Sequence, residues 1–404
     1  MSDVSAPVAR AAAPALSRSL MALLAISVFT TASAMHFQTP MLERIAAEFG
    51  ATPAAVGWIP TLSFAGFLAG TVFLVPLGDR YDKRSLILAK LALLMLAVLA
   101  MALAPTLSVL WVASFTIGIS TSLSQHVVPL VAELAAPDAR GRAVGTVLSG
   151  LFLGILFARV VGGVVAATLG WRWMYAISLA MLAVIGVALV ARLPHAPART
   201  THGYAELMRS LVHLIARSGA LRRASATQFL LGIGYGGFWA TIAPMMHVVH
   251  GLGPSATGLM GIPGASGILV ARSAGRVMDR HGSRRVVATG IGLGVAAFVV
   301  FGFGVVWVAA LVLGAILLDC GLRIAMVANQ TLVTSVDPSA RSRLNTVFAA
   351  HVWGGNAVGA FVASTMFTHF GWPAVCAVSF AAALLALILH WRGPRGTSEA
   401  GHQA

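Results

Sequence analysis

Runs of about twenty apolar residues recur along the whole chain, and no other feature limits its fold as strongly. A helix needs roughly that length to cross a hydrocarbon core, and in lipid each backbone polar group has to be satisfied within the segment itself. The chain has 404 residues, of which 58% are hydrophobic and 10% charged, against about 25% charged in an ordinary soluble domain. The expectation is an all-α membrane protein of twelve transmembrane helices. Spans 1 to 6 are expected near 19–39, 54–76, 85–104, 107–132, 143–169 and 172–192. Spans 7 to 12 follow near 224–249, 256–276, 285–304, 307–333, 343–369 and 371–391. The N-terminus imitates a secretory signal, with Arg10 and Arg18, an apolar run and Ala32-Ser33-Ala34. It is read instead as a retained first span, because the charge pattern of the later turns then falls into register.

That pattern is one-sided. The termini and even-numbered turns hold Arg80, Lys83, Arg84, Arg140, Arg142, Arg217, Arg280, Arg284, Arg341, Arg343 and Arg392, among others. The odd-numbered turns hold little beyond Arg44 and Arg172. Basic residues stay on the cytoplasmic side, so both termini and the middle loop are expected there. The net charge of +15 then reports orientation in a lipid membrane and not a nucleic-acid partner. Cys320 and Cys376 both fall in apolar runs, which leaves no disulfide or metal framework. In the middle segment Leu207, Leu211, Leu214 and Ile215 share one helical face, the pattern of a short amphipathic helix on the membrane surface.

Two halves repeat one another. The charged knot Leu77-Gly78-Asp79-Arg80-Tyr81-Asp82-Lys83-Arg84 after span 2 returns as Gly275 to Arg285, so that Asp79 matches Asp279. Pro137 to Arg142 matches Pro338 to Arg343, and Gly170-Trp171 matches Gly371-Trp372. The expected organisation is a six-helix half (1–193), a linker (194–223) and a second six-helix half (224–404), with a substrate site between the halves near the bilayer midplane.

Six plus six spans, the central loop and the duplicated knot resemble the major facilitator superfamily and its motif G-x-x-x-D-R-x-G-R-R. The second copy fits through Gly275, Asp279, Arg280, Gly282 and Arg284; the first keeps Asp79, Arg80, Lys83 and Arg84 but has Val75 and Asp82 at glycine places. Span 5 carries the glycines of the drug-exporter pattern at Gly145, Gly154, Gly162 and Gly163, with Ala158-Arg159 where Gly-Pro is usual. The nearest branch in kind is the bacterial arabinose-efflux-like or drug/H⁺ antiporter group. The resemblance implies the major facilitator fold and a multi-pass protein of the bacterial inner membrane, read as a monomer. It also implies a conformational latch. Asp79 would close on the start of span 11 near Arg343, and Asp279 on the start of span 5 near Arg142, with Arg80, Arg84 and Arg280 alongside.

Within the spans, polar residues are few enough to be candidates singly. Arg159 lies about sixteen residues into span 5, where a charge costs at least about 2.5 kcal/mol and needs a wet cavity or a partner. Asp319 is the one carboxylate deep in a span, four residues before Arg323, in the favourable acid-first order. The pair is the candidate proton-coupling site. Cavity-lining candidates are His36, Gln38, Gln125, His126, Asn329, Gln330, His351 and Asn356. Lys90 and Arg272 are expected to snorkel from span ends, and Glu133 to pair with a loop arginine. With no nucleotide-binding motif and no cofactor site, the expectation is not an enzyme but a secondary transporter of a small molecule. Proton-coupled efflux comes first; proton-coupled uptake of an organic anion or sugar is the alternative, and a non-transporting receptor a distant third.

Overall fold

The computed structural model describes residues 16–196, 203–267, 269–270, 277–278, 280, 282–337 and 340–392, without the side chains of Asp79 and Ser342. It is nearly all helical, with two six-helix repeats of major facilitator architecture. The first half contains α1 (Arg18–His36), α2 (Leu42–Phe49), α3 (Pro53–Ala69), α4 (Leu77–Arg80), α5 (Lys83–Leu103), α6 (Leu107–Thr121), α7 (Ser124–Leu134), α8 (Arg140–Thr168) and α9 (Trp171–Arg192). The linker holds α10 (Tyr204–Arg217). The second half contains α11 (Gly219–His250), α12 (Pro254–Leu259), α13 (Ser283–Gly302), α14 (Val308–Ser335) and α15 (Arg341–Trp391). Of the expected eighth span, residues 256–267 and 269–270 are described, with the end of α12 and a 3-10 turn over Pro263–Ala265, and residues 268 and 271–276 are not.

Several boundaries differ from the sequence reading. Span 1 does not stop at 39: a 3-10 turn over Thr39–Met41 joins α1 to α2, which ends on Gly50 at φ 59°. Span 7 begins earlier, at Gly219, where Ser218 caps α11 by accepting from the Leu221 N–H at 3.1 Å. Spans 11 and 12 are two arms of α15 that part at Gly371, φ 72°, a conformation that suits glycine. Its repeat partner Gly170 has φ 96°. The indole of the tryptophan after each is tied down, Trp171 to the Glu48 carboxylate at 2.6 Å and Trp372 to the Phe301 carbonyl at 2.7 Å.

Glycine lets backbones touch inside each half. A methyl group on Gly154 would lie 2.3 Å from the Phe29 carbonyl oxygen, and in the second half one on Gly359 would lie 2.0 Å from that of Ile233. This is small-residue packing of membrane helices, α1 against α8 and α11 against the first arm of α15. Gly145 departs from the expectation, with nothing within 4 Å of its Cβ position.

The linker helix also differs from its expected place. Met208, Leu211, Leu214 and Ile215 of α10 pack against Leu221, Val333, Leu344, Val347 and Phe348. An apolar stripe reads the same whether it meets lipid or protein; here it is docked on the second half. At the same end the Tyr204 hydroxyl donates to the Phe73 carbonyl at 3.0 Å, so α10 touches both halves.

The arginine-rich turns gather at one end of the bundle, called here the basic end. In the first half Arg84 donates to the Val190 carbonyl at 2.7 Å; in the second, Arg284 donates to that of Trp391 at 2.9 Å. The repeat therefore extends to how each half ties its third helix to the end of its sixth.

Candidate functional site

Toward the end opposite the basic turns, the two halves close on each other. Glu43 of α2 and His247 of α11 pair across the seam at 3.3 Å. Trp58 packs tilted against Phe361 with centroids 4.9 Å apart; deeper in the bundle, toward the basic end, Phe67 packs tilted against Trp353 at 4.1 Å. Gly163 of α8 abuts the Pro254 carbonyl of α12. Ala240, Ala243, Ala357 and Ala360 of the second half are buried among the core side chains of the first, the small residues a close seam needs.

Just inside this seal lies the charged centre. Arg159 is 3% exposed, and its guanidinium carbon lies 3.2 Å from the ring centroid of Trp239 on α11. It donates to the Tyr235 hydroxyl at 3.3 Å. A desolvated cation over an aromatic face gains on the order of 2 kcal/mol, comparable with the cost of burying the charge. On α14 the Arg323 Nε is 3.7 Å from Asp319 Oδ1, and the Arg323 guanidinium lies 5.0 Å from the Phe152 ring of α8. Asp319 is within electrostatic reach of Arg159, and His36 of both arginines. The cleft between them is lined by Phe152, Ile155, Leu156, Arg159, Tyr235, Gly261, Gly264, Ala265 and Arg323, with about 10 Å³ of free space, room for a single water. A larger cavity of about 350 Å³ lies against the seal, among Leu42, Ala46, Val56, Pro244 and Val248. Its polar side chains, Glu43 and His247, already satisfy one another, so the small central cleft is where the unspent chemistry sits.

The other candidates are distributed. His36 is held by its Nδ1 against the Ala32 carbonyl at 2.9 Å, which turns its second nitrogen away from its own backbone. Gln38 accepts from the Ser63 hydroxyl at 3.2 Å, inside the first half. His126 Nε2 meets the Lys90 ammonium at 3.1 Å, and Lys90 donates to Ser122 at 2.9 Å. Lys90 is 5% exposed, so it does not snorkel as expected; it belongs to a buried polar cluster of the first half. Gln125 is half-buried beside it in sequence, away from the charged centre. Gln330 bonds Asn345 at 2.6 Å, and His351 bonds the Val347 carbonyl at 2.8 Å, both within the second half. Asn329 and Asn356 are buried, with Nδ2 of the first and Oδ1 of the second lacking a partner. Glu133 pairs with Lys83.

Of the latch residues, Asp279 and the side chain of Asp79 lie outside the described residues, as does Arg272. Arg80, Arg142 and Arg280 are exposed, and Arg343 is half-buried. Arg84 is engaged within its own half, donating to the Val190 carbonyl. The altered glycine position has an explanation. Gly282 takes φ 79°, whereas Asp82 stands at φ −58° and caps α5, accepting from the Arg84 N–H at 3.2 Å.

Sequence reasoning missed Tyr235, Trp239, Phe152, Lys90 and the Glu43–His247 pair. It also missed Gln228, fully buried with neither side-chain polar atom bonded. The one signal available was the spacing of Tyr235 and Trp239, four apart and so on one face of α11.

The family model described as Major Facilitator Superfamily matches residues 24–273 and 273–403. The chain belongs to the Major Facilitator Superfamily. Full-length likeness agrees with this placement. The chain is 31% identical over 379 residues to "Uncharacterized transporter YgaY" of Escherichia coli O157:H7, covering 94% of this chain and 96% of that one. It is 33% identical over 381 residues to "Probable transporter SCO4007" of Streptomyces coelicolor, covering 93% and 87%. Among solved structures, the nucleoside transporter NupG superposes with a TM-score of 0.78 at 15% identity, over 92% of this chain and 98% of NupG. At that identity the likeness is one of fold. The protein is a transporter of this superfamily, embedded in a membrane by multiple helices.

Proposed function

We propose that the protein is a proton-coupled secondary transporter that moves a small molecule by alternating access. Arg159, Asp319 and Arg323 form its binding and coupling site. Residues 1–193 and 224–404 are the rocking halves and 194–223 the link between them, in a monomer. The charge asymmetry of the turns supports both termini on the cytoplasmic side of a bacterial inner membrane, so the sealed end faces outward.

Asp319 carries the reading. It is 2% exposed, its Oδ2 has no partner, and Oδ1 is 3.7 Å from Arg323. Such a carboxylate has two satisfied states: ionised against Arg323, or protonated with Arg323 released. A ligand that engages Arg323 favours the second state, and a conformation that presses Arg323 back favours the first. That mutual bias is what couples a proton to a substrate. In the alternate state the basic end closes, and Asp79 and Asp279 latch near Arg343 and Arg142.

The geometry favours co-transport, because a second cation, Arg159, stands where exporters of this family carry proline. A second reading is efflux in exchange for protons, as in the drug/H⁺ antiporter branch. The α8 glycines Gly154, Gly162 and Gly163 favour it. Proteoliposomes with imposed pH gradients of either sign, screened against small-molecule substrates, separate the two. Movement from the acid to the alkaline side supports co-transport, and movement the other way supports exchange. A transported substrate indifferent to the gradient overturns proton coupling.

A further inference from the structure

The central cleft holds fewer negative charges than positive ones and fewer acceptors than donors. Two guanidinium groups, Arg159 from the first half and Arg323 from the second, face one carboxylate, Asp319, which leaves one positive charge uncompensated. Tyr235 from α11 lines the cleft, His36 from α1 stands within electrostatic reach of both arginines, and no further carboxylate lines the cleft among the described residues. Three donors there are buried without an acceptor: Arg159 Nε, Arg323 Nε and Trp239 Nε1. They come from α8, α14 and α11, so one ligand between the halves meets all three helices. Asp319 Oδ2 is the matching vacant acceptor.

We infer that the ligand of this cleft is a small organic monoanion, a carboxylate that crosses together with a proton. The inference rests on the reading of the cluster as the transport site. A carboxylate supplies two oxygens with about four lone-pair sites, and arginine forks suit it better than any other side chain does. A hydroxyl-rich neutral ligand would satisfy donors without setting an opposite charge against either guanidinium, and a cation would be repelled by both. The walls select an apolar body. Phe152, Ile155 and Leu156 line one side, and Gly261 and Gly264 leave no side chain on the other. In the sealed state the negative face of the Trp239 ring holds Arg159 in place of the anion. As the halves part, α8 and α11 separate and Arg159 is released to the ligand. The proton balances the exchange. When the carboxylate takes Arg323, Asp319 loses its counter-charge and gains a proton, so one anion and one proton move with no net charge.

The test uses purified full-length protein in detergent and calorimetric titration. The probes are acetate, pyruvate, benzoate and 3-phenylpropionate, each beside the amide and the amine of the same skeleton. At least one carboxylate is expected to bind, with its amide and amine about tenfold weaker or worse. R159Q and R323Q are each expected to weaken it about tenfold, and R159K to recover part of the loss, in proteins whose thermal unfolding matches the wild type. In weakly buffered solution, binding is expected to take up about one proton per anion. D319N binds at least as tightly, because the competing carboxylate is gone, and takes up none. No binding by any carboxylate, equal binding by amide or amine, or indifference to R159Q overturns the inference. Arginine-dependent anion binding without proton uptake leaves the anion assignment standing and removes Asp319 as the coupling site. Proton-driven transport of neutral substrates alone does the reverse.

Discussion

Asp82 shows how one residue can replace a glycine by a different device. The repeat position Gly282 turns the chain through φ 79°. Asp82 makes its turn without positive φ and holds it with side-chain hydrogen bonds, accepting from the N–H groups of Arg84 and Ala196 and from the His195 imidazole at 2.8 Å. Burial pushes its carboxyl up, but the Ala196 N–H, His195 and the Arg84 N–H outweigh this and hold it below the usual carboxylate range. A lowered folded value means the stabilisation is complete above the ordinary carboxylate value of about 3.9. It is lost as pH falls through the folded value beneath. D82A is therefore expected to cost about 1 kcal/mol at neutral pH, as lost caps do, with the gap to wild type narrowing in that acid window. Thermal unfolding in detergent across the acid range checks this; a gap that ignores pH would contradict it. His195 and Ala196 lie 113 and 114 residues from Asp82, so the substitution was legible in the sequence and its compensation was not.

Elements were legible where the signal is local. Span length, span spacing, the duplicated knot and the Gly-Trp corners all follow from composition and periodicity within a few turns. What an element packs against does not. Gly145 and Gly154 belong to one glycine pattern, yet a methyl group on Gly154 would meet the Phe29 backbone at 2.3 Å and one on Gly145 meets nothing. G154A is expected to cost about 1–3 kcal/mol, as overpacking does. G145A is expected to be neutral or to gain up to about 1 kcal/mol of helix propensity. Melting temperatures of the two variants decide it, and equal effects would mean that α1 and α8 are not in backbone contact. Lys90 follows the same logic. Its position near a span end suggested snorkelling, while Ser122 and His126, which retain it in the interior, come from the turn after α6 and from α7.

At the scale of the molecule, the sequence revealed two halves and the charge that orients them, but not which end is closed. The closure is built from contacts between residues far apart in the chain, such as Glu43 with His247, and no local pattern encodes such a pair. If these halves rock, joining them there stops the cycle. In a protein whose Cys320 and Cys376 are replaced, a short thiol cross-linker between E43C and H247C is expected to abolish transport. Each single cysteine variant treated alike should retain it. Transport that survives the cross-link would mean that this end never opens.

In the proposed function Asp319 converts a proton gradient into substrate movement across that seam. The most direct measurement compares wild type and D319N in proteoliposomes, by gradient-driven accumulation and by counterflow exchange of the same substrate. D319N is expected to keep counterflow and to lose accumulation under a pH gradient. Accumulation by D319N at the wild-type ratio would contradict it.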